Sequence, residues 1–257
     1  MPMKNQKSLG QHWLKNRAIL DQIADLAVVP GINTCLEIGP GLGTLTSSLL
    51  RRFPHVIAVE YDARLAANLP ASFPGKNLTV HHQDFLQFDL SNLQNYVVAG
   101  NIPYYITTPI IQKLLAAPHP PAKIVLLIQK EVAERIAAAP GHHSLLSLFV
   151  QNAATVALGP VVPAREFTPP PKVDSQVLVL TPRPAPQVSP AALTLARRGL
   201  HHPPQQLAAN LATPDCPKTA WQSRLAAQGL NPDARAQDLA LADWARLAEL
   251  LKSNHQP

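Results

Sequence analysis

The chain has 257 residues, 46% of them hydrophobic and 15% charged, with a formal net charge of +6. That length suits one α/β domain plus a small second one, and the apolar content is enough for a sizeable core. Two cysteines, Cys35 and Cys216, leave no disulfide framework, no run reaches the ~18 apolar residues of a membrane span, and the polar, basic first residues do not read as a secretory signal, so the expected home is the cytoplasm.

Lys4, Lys7, Lys15 and Arg17 gather positive charge near the start, which favours a polyanionic partner. A helical pattern over 16–28 follows. A strand over 33–38 then runs through Glu37 into Gly39, Gly41 and Gly43, with a helix over 44–52 behind. Glycines at such a turn let the backbone approach a ligand with no Cβ in the way. Their strict alternation behind an acid favours a ligand with an ammonium group and no pyrophosphate, as S-adenosylmethionine presents. The next strand, 55–60, ends in Glu60, about 20 residues past Gly39, where a ribose-gripping carboxylate belongs. After a helix over 62–69 and a strand over 78–82 comes Asp84, placed to hold an adenine amine. Three acids at successive strand ends suit a ligand site, because open α/β sheets bind ligands there.

The strand over 96–100 opens into Asn101-Ile102-Pro103-Tyr104. The Asn101 side-chain oxygen and the Ile102 carbonyl can each accept one N–H, and the Tyr104 ring can stack on a base. An amine conjugated into adenine is a poor nucleophile. Two acceptors in the right place favour a pyramidal nitrogen whose lone pair can attack. The motifs thus read as methyl transfer to an adenine-type amine in a nucleic acid.

Helices over 108–117, 130–138 and 142–152 alternate with strands over 123–129, 154–162 and 174–181. This spacing predicts a mostly parallel seven-stranded sheet covered on both faces. Pro182, Pro184, Pro186 and Pro190 mark a stiff linker. The expected domains are 1–182, a linker over 183–190 and a helical domain over 191–257. The adjacent pairs His81-His82, His142-His143 and His201-His202 do not share a helix or strand face, and no metal-ligand spacing is present, so no metal is expected.

Taken together, Lys7-Ser8-Leu9-Gly10-Gln11-His12-Trp13-Leu14, the glycine segment, Val59-Glu60-Tyr61-Asp62, Gln83-Asp84, Asn101 to Pro109, Gln129 to Arg135 and Phe167 to Ser175 resemble one family. It is the KsgA-type small-subunit ribosomal RNA adenine N6,N6-dimethyltransferases, related to the Erm large-subunit methyltransferases. The resemblance covers about residues 7–181. It implies a class I S-adenosylmethionine-dependent methyltransferase fold, Rossmann-like, whose last strand is antiparallel. It also implies dimethylation of two adjacent adenosines near the 3′ end of small-subunit (16S) rRNA, within a pre-ribosomal particle, by a monomer.

The same resemblance assigns the cofactor site to Gln11, His12, Leu14, Gly39, Gly41, Gly43, Glu60, Tyr61, Asp84, Phe85 and Asn101. It assigns the target amine to Asn101, Ile102 and Pro103, and a flipped base to a sandwich of Tyr104 and Phe167. Three departures stand out. His12 replaces the usual Asn, Leu145 falls where many members carry an Arg, and Arg197-Arg198-Gly199-Leu200-His201-His202-Pro203-Pro204-Gln205-Gln206-Leu207 replaces a more basic helix start. Two other readings remain open at this point: an Erm-type enzyme, and an RNA- or DNA-binding assembly factor whose methylation is secondary.

Overall fold

Runs such as Ile124-Val125-Leu126-Leu127-Ile128 have no polar alternation, so a strand made of them needs cover on both faces. All five residues are fully buried. The computed structural model describes residues 12–253. Gln11, Lys4 and Lys7 lie outside the described residues.

The elements in chain order are β1 (Trp13–Leu14), α1 (Arg17–Ala27), β2 (Thr34–Ile38), α2 (Thr44–Leu49), β3 (His55–Glu60), α3 (Ala63–Asn68), β4 (Leu78–His82) and β5 (Tyr96–Asn101). There follow α4 (Thr107–Leu115), β6 (Ile124–Gln129), α5 (Lys130–Ile136), α6 (Leu145–Ala153), β7 (Ala154–Val162), β8 (Phe167–Thr168) and β9 (Ser175–Pro182). Four helices close the chain: α7 (Pro190–Gly199), α8 (Leu207–Leu211), α9 (Lys218–Ala227) and α10 (Leu241–Ser253).

Seven strands form one sheet in the order β4-β3-β2-β5-β6-β9-β7. The pairs β3/β4, β2/β3, β2/β5 and β5/β6 are parallel, and β9 runs antiparallel to β6. The chain winds outward from β2 to β4 in one direction, then from β5 to β6 in the other. The switch between β2 and β5 is where such sheets open a crevice at their carboxyl ends. The helix α1 covers one face. Asn16 caps it by accepting the Ile19 N–H at 3.3 Å, and Leu20, Ile23, Ala24 and Ala27 fall on one buried stripe. A separate two-stranded sheet pairs β1 with β8, Trp13 opposite Thr168 and Leu14 opposite Phe167.

The chain divides into two compact units. The first takes the sequence through Ala133 together with Val156–Pro182, and the second takes Glu134–Thr155 together with the chain from Arg183 onward. The sequence expectation of one continuous domain over 1–182 differs here. The reason is apolar: Leu148 of α6 shares a buried core with Val188, Leu195, Trp221 and Trp244. Residues 183–190 are packed as well. The Arg183 N–H donates to the Ala153 carbonyl at 2.8 Å, and the Val188 N–H to Asn152 Oδ1 at 2.8 Å. Ser189 then caps α7, whose first residue is Pro190.

Candidate active site

A cavity of about 330 Å³ opens at the carboxyl ends of β2, β3 and β5 and beside the turn that follows β4. The glycine turn forms its floor. Gly39, Gly41 and Gly43 all have positive φ, at 64°, 56° and 81°. At Gly43, which starts α2, a Cβ would lie 2.8 Å from Leu69 Cδ1 and 2.9 Å from Phe73. At Gly41 it would lie 3.2 Å from the Trp13 indole nitrogen. Both positions therefore need glycine for the backbone and for the space.

Glu60 ends β3 and is 5% exposed. Its Oε2 accepts the Gly41 N–H at 3.0 Å, and its Oε1 accepts the Asp62 N–H at 2.8 Å. Burial raises its carboxyl above the ordinary range, and these N–H groups hold the rise back. One carboxylate thus fixes the glycine turn and the start of the next turn, while keeping lone pairs for a ligand hydroxyl. Asp84 caps a single 3-10 turn over Phe85–Gln87, with Oδ1 accepting the Leu86 N–H at 2.9 Å. Leu14, Tyr61 and Phe85 also line the cavity; Leu14 and Phe85 are buried, and Tyr61 is exposed at the rim.

Asn101 is the last residue of β5. Its Nδ2 donates to the main-chain carbonyl of His12 at 3.0 Å. With the nitrogen engaged, the amide oxygen is the group left for an incoming N–H. The Ile102 N–H is taken by the Leu127 carbonyl at 3.1 Å, and its side chain is buried. Pro103 starts the loop, and the Tyr104 hydroxyl shares a hydrogen bond with Ser175 Oγ at 3.0 Å. Burial raises the Tyr104 phenol above its ordinary value, so it stays neutral.

His12 lines the same cavity. Its ring lies 6.0 Å from that of Tyr104, 21° from parallel. Its Nδ1 sits 2.7 Å from the Pro169 carbonyl, so Nδ1 carries the proton and donates. The residue that departs from the usual Asn therefore has its ring held by the chain itself.

The structure brings the expected site residues in its described range to one cavity except Gly43, which lies just behind its wall between Gly41 and Thr44, and Phe167; Gln11 lies outside that range. Phe167 is 3% exposed and belongs to the apolar core with Leu14, Leu20, Val162 and Val177. Its ring thus does not line the cavity at which the sequence reading expects it to sandwich a base. Pairing of β8 with β1 sets it opposite Leu14, with which it shares that core. Trp13 and Tyr105 line the cavity too, and sequence reasoning passed over both. Their signal was aromatic character next to positions already singled out. Tyr105 is 66% exposed.

Glu37 is the remaining acid. It lies in β2, is 1% exposed, lines the cavity, and neither carboxylate oxygen has a hydrogen-bond partner among the described residues. Burial pushes its carboxyl up to about 8, and the nearby Thr46 hydroxyl and Glu60 carboxylate modify that in opposite directions. An orphaned buried acid over a glycine turn, with a second acid at the next strand end, fits a ligand that carries an ammonium and ribose hydroxyls. S-adenosylmethionine has both. Among the described residues no group of three His, Cys, Asp or Glu side chains is placed to hold a metal ion. Among them, too, no helix is long and apolar enough to cross a membrane.

Comparison with known proteins bears on this site. The sequence profile of the family described as ribosomal RNA adenine dimethylase matches residues 3–253. The ribosomal RNA small subunit methyltransferase A of Thermosynechococcus vestitus is 40% identical over 264 residues, covering 99% of this chain and 99% of that protein. The protein of the same name from Gloeobacter violaceus is 40% identical over 264 residues, covering 99% of this chain and 96% of its own length. Among solved structures, a dimethyladenosine transferase from Plasmodium falciparum matches with a TM-score of 0.79 at 27% identity, over 95% of this chain and 98% of that one. The 23S rRNA methyltransferase ErmE matches with a TM-score of 0.77 at 28% identity, over 93% of this chain and 99% of that one. The fold is thus that of the class I methyltransferases, as the sequence reading expected.

Proposed function

The chain belongs to the ribosomal RNA adenine dimethylase family, and we propose that it dimethylates the N6 amines of two adjacent adenosines in the 3′-terminal hairpin of small-subunit (16S) rRNA. The methyl donor is S-adenosylmethionine, whose sulfonium supplies an already activated methyl group. The enzyme acts as a monomer, in the cytoplasm, on a pre-ribosomal particle during small-subunit assembly.

The observation that carries this reading is the state of Asn101. Its amide nitrogen is committed to the His12 carbonyl, so its oxygen is the free acceptor at the cavity. Asn101 Oδ1 and the Ile102 carbonyl accept the two N–H bonds of the target amine and steer its lone pair away from the ring. Tyr104, neutral and tied to Ser175, offers its face to the flipped base. Glu60 accepts ribose hydroxyls and Asp84 the cofactor's adenine amine. The glycine turn passes beneath the methionine portion, and Leu14, Tyr61 and Phe85 wall the site. No strong base is required, because the amine becomes acidic once methylated and sheds its proton to solvent. Positioning and charge placement can carry such a reaction.

The test is incubation of the full chain with methyl-labelled S-adenosylmethionine and separated, under-methylated small and large ribosomal subunits. Label confined to dimethyladenosine in the small-subunit rRNA is the expected result. Label in the large subunit instead would favour the Erm-like reading and overturn this one.

A further inference from the structure

Among the described residues, the large aromatic side chains more than half exposed are Tyr61 and Tyr105, at 62% and 66%. One such ring on a surface needs no explanation. Here both stand at the rim of the same cavity, Tyr61 just past the end of β3 and Tyr105 just past the end of β5. Tyr61 is the ring that the resemblance gives to the cofactor. Tyr105 has no part in the chemistry proposed so far. Its local backbone explains why it faces outward. Residues 104–106 form one 3-10 turn, which advances about a third of a turn per residue, so the rings of Tyr104 and Tyr105 diverge. Tyr104 sends its hydroxyl to Ser175, and Tyr105 is left towards solvent. The turn beneath it is firm. Pro103 enters it with φ −57°, the Ile106 N–H donates to the Pro103 carbonyl at 3.2 Å, and the Thr107 hydroxyl donates to the Tyr104 carbonyl at 3.3 Å. A tyrosine ring on such a base has only two side-chain torsions to lose, so it can take a flat partner at small entropic cost.

The next step rests on the function proposed above. We propose that Tyr105 stacks on the base beside the target, holding that neighbour while the target base occupies the cavity. Drawing one adenine out of its stack leaves the adjoining base with a bare face. That base is tied to the target by a single sugar–phosphate step, so it stays near the cavity mouth, where an exposed phenol ring can cover it. Tyr104 and Tyr105, consecutive in sequence and divergent in direction, then serve two consecutive bases, one inside the cavity and one at its rim. A purine offers this ring more face than a pyrimidine does. Tyr105 therefore favours a target whose neighbour is also a purine. Because the two target adenosines adjoin each other, the base held at Tyr105 in one round of transfer is the substrate of another.

The experiment is single-turnover methylation by the full chain, below saturation, of under-methylated small subunits in two forms. One carries the adjacent pair of adenosines, and the other has uridine in place of one of them. Tyr105→Ala should slow methylation of the first form roughly tenfold and of the second by no more than about threefold. Tyr105→Phe, which keeps the ring, should match the parent on both. S-adenosylhomocysteine affinity by calorimetry should be the same in the parent and both variants, which also shows that each is folded. If Tyr105→Ala fails to fold, Tyr105→Leu, which keeps apolar bulk without a planar face, takes its place with the same expectation. Parent-like rates in Tyr105→Ala, an equal penalty on both forms, or an equal loss in Tyr105→Phe would each overturn the stacking role and leave the proposed function standing. Weakened S-adenosylhomocysteine binding in Tyr105→Ala would move the ring to the cofactor and overturn it as well. A parent chain that methylates neither form would overturn the proposed function itself.

Discussion

The side-chain amide of Asn101 donates to the main-chain carbonyl of His12 across 89 residues of sequence. Neither residue could fix the other's role alone. The backbone of His12 sets which way the amide points, and the amide holds the start of β1 against the end of β5. The His12 ring is held separately, by the Pro169 carbonyl 157 residues away. Three distant segments therefore meet beside the Asn101 amide, one of the two acceptors proposed for the target amine.

Asn101→Ala should lower single-turnover methylation of under-methylated small subunits on the order of a hundredfold, the scale of losing one positioning polar group. Affinity for the subunit should change little, because phosphate contacts carry most of it. Rapid-quench methylation and filter binding measure the two quantities. Wild-type turnover in the variant would remove the adenine-amine assignment.

Glu60→Ala removes the acceptors of two main-chain N–H groups, those of Gly41 and Asp62, and the proposed ribose contact. Losing a charge-assisted hydrogen bond costs roughly 1.5–3 kcal/mol. S-adenosylhomocysteine should bind about ten- to a hundredfold more weakly by calorimetry. Unchanged affinity would show that the ribose sits elsewhere.

Phe167→Ala should act on stability. The ring is 3% exposed in the core, and truncating a buried Phe costs about 3–5 kcal/mol. The urea midpoint should fall accordingly, while turnover per folded molecule at low temperature stays near that of the parent. A variant of normal stability and greatly reduced turnover would return Phe167 to the base site.

Stability should decline with rising pH. The Glu37 carboxyl sits at about 8 when folded, against an ordinary 4.5, so between those values the folded chain holds a proton that the unfolded chain has lost. The stabilisation is full below the unfolded value and is lost as pH rises towards the folded one, by at most about 1.4 kcal/mol per pH unit. Glu60 is shifted in the same direction, so Glu37→Gln should remove part of the decline only. Urea unfolding at pH 5, 6, 7 and 8 reads this out. Buried His143, whose imidazole is shifted down, acts in the opposite sense over this range, so the comparison with Glu37→Gln decides: equal pH slopes in parent and variant would contradict a protonated Glu37.

Salt dependence should sort the basic residues. Arg197 and Arg198, near the carboxyl end of α7, are exposed, but His201, His202, Pro203, Pro204 and Gln205 follow in place of more fixed charge. The slope of log affinity against log salt scales with the phosphates neutralised. Replacing Arg197 and Arg198 with Gln should flatten it less than replacing Lys4, Lys7, Lys15 and Arg17. Substitution is the right tool, because deleting the chain beyond residue 187 would strip the partners of Leu148 from its core. A larger effect from the α7 pair would shift RNA docking to the helical unit.

What the sequence disclosed and what it withheld divide along physical lines. The strand ends at Ile38, Glu60 and His82 were legible, and that at Asn101 to within one residue, because the strand patterns stop there at glycine, acid or amide. The cavity followed from them. The burial of Phe167 was not legible, because it depends on a two-residue pairing with Leu14 that carries no periodic signal. The 134–155 segment misled for a related reason. Its helices have the right spacing for a sheet crossover, and only the contacts of Leu148 reveal which core they serve. The unpaired state of Glu37 is likewise a property of its surroundings.

Glu60 binds the Gly41 and Asp62 N–H groups with its two oxygens, one each. The glycine turn and the following turn are thus stapled by the same side chain that is offered to the ligand. In mutational terms, positions 41 and 60 form one heritable unit. Damage at either should already disturb what the other contributes, so the energetic effects of a double variant should fall short of the sum of the single ones. A lineage drifting at this site can change the Glu60 carboxylate only by rebuilding the glycine turn in the same stroke.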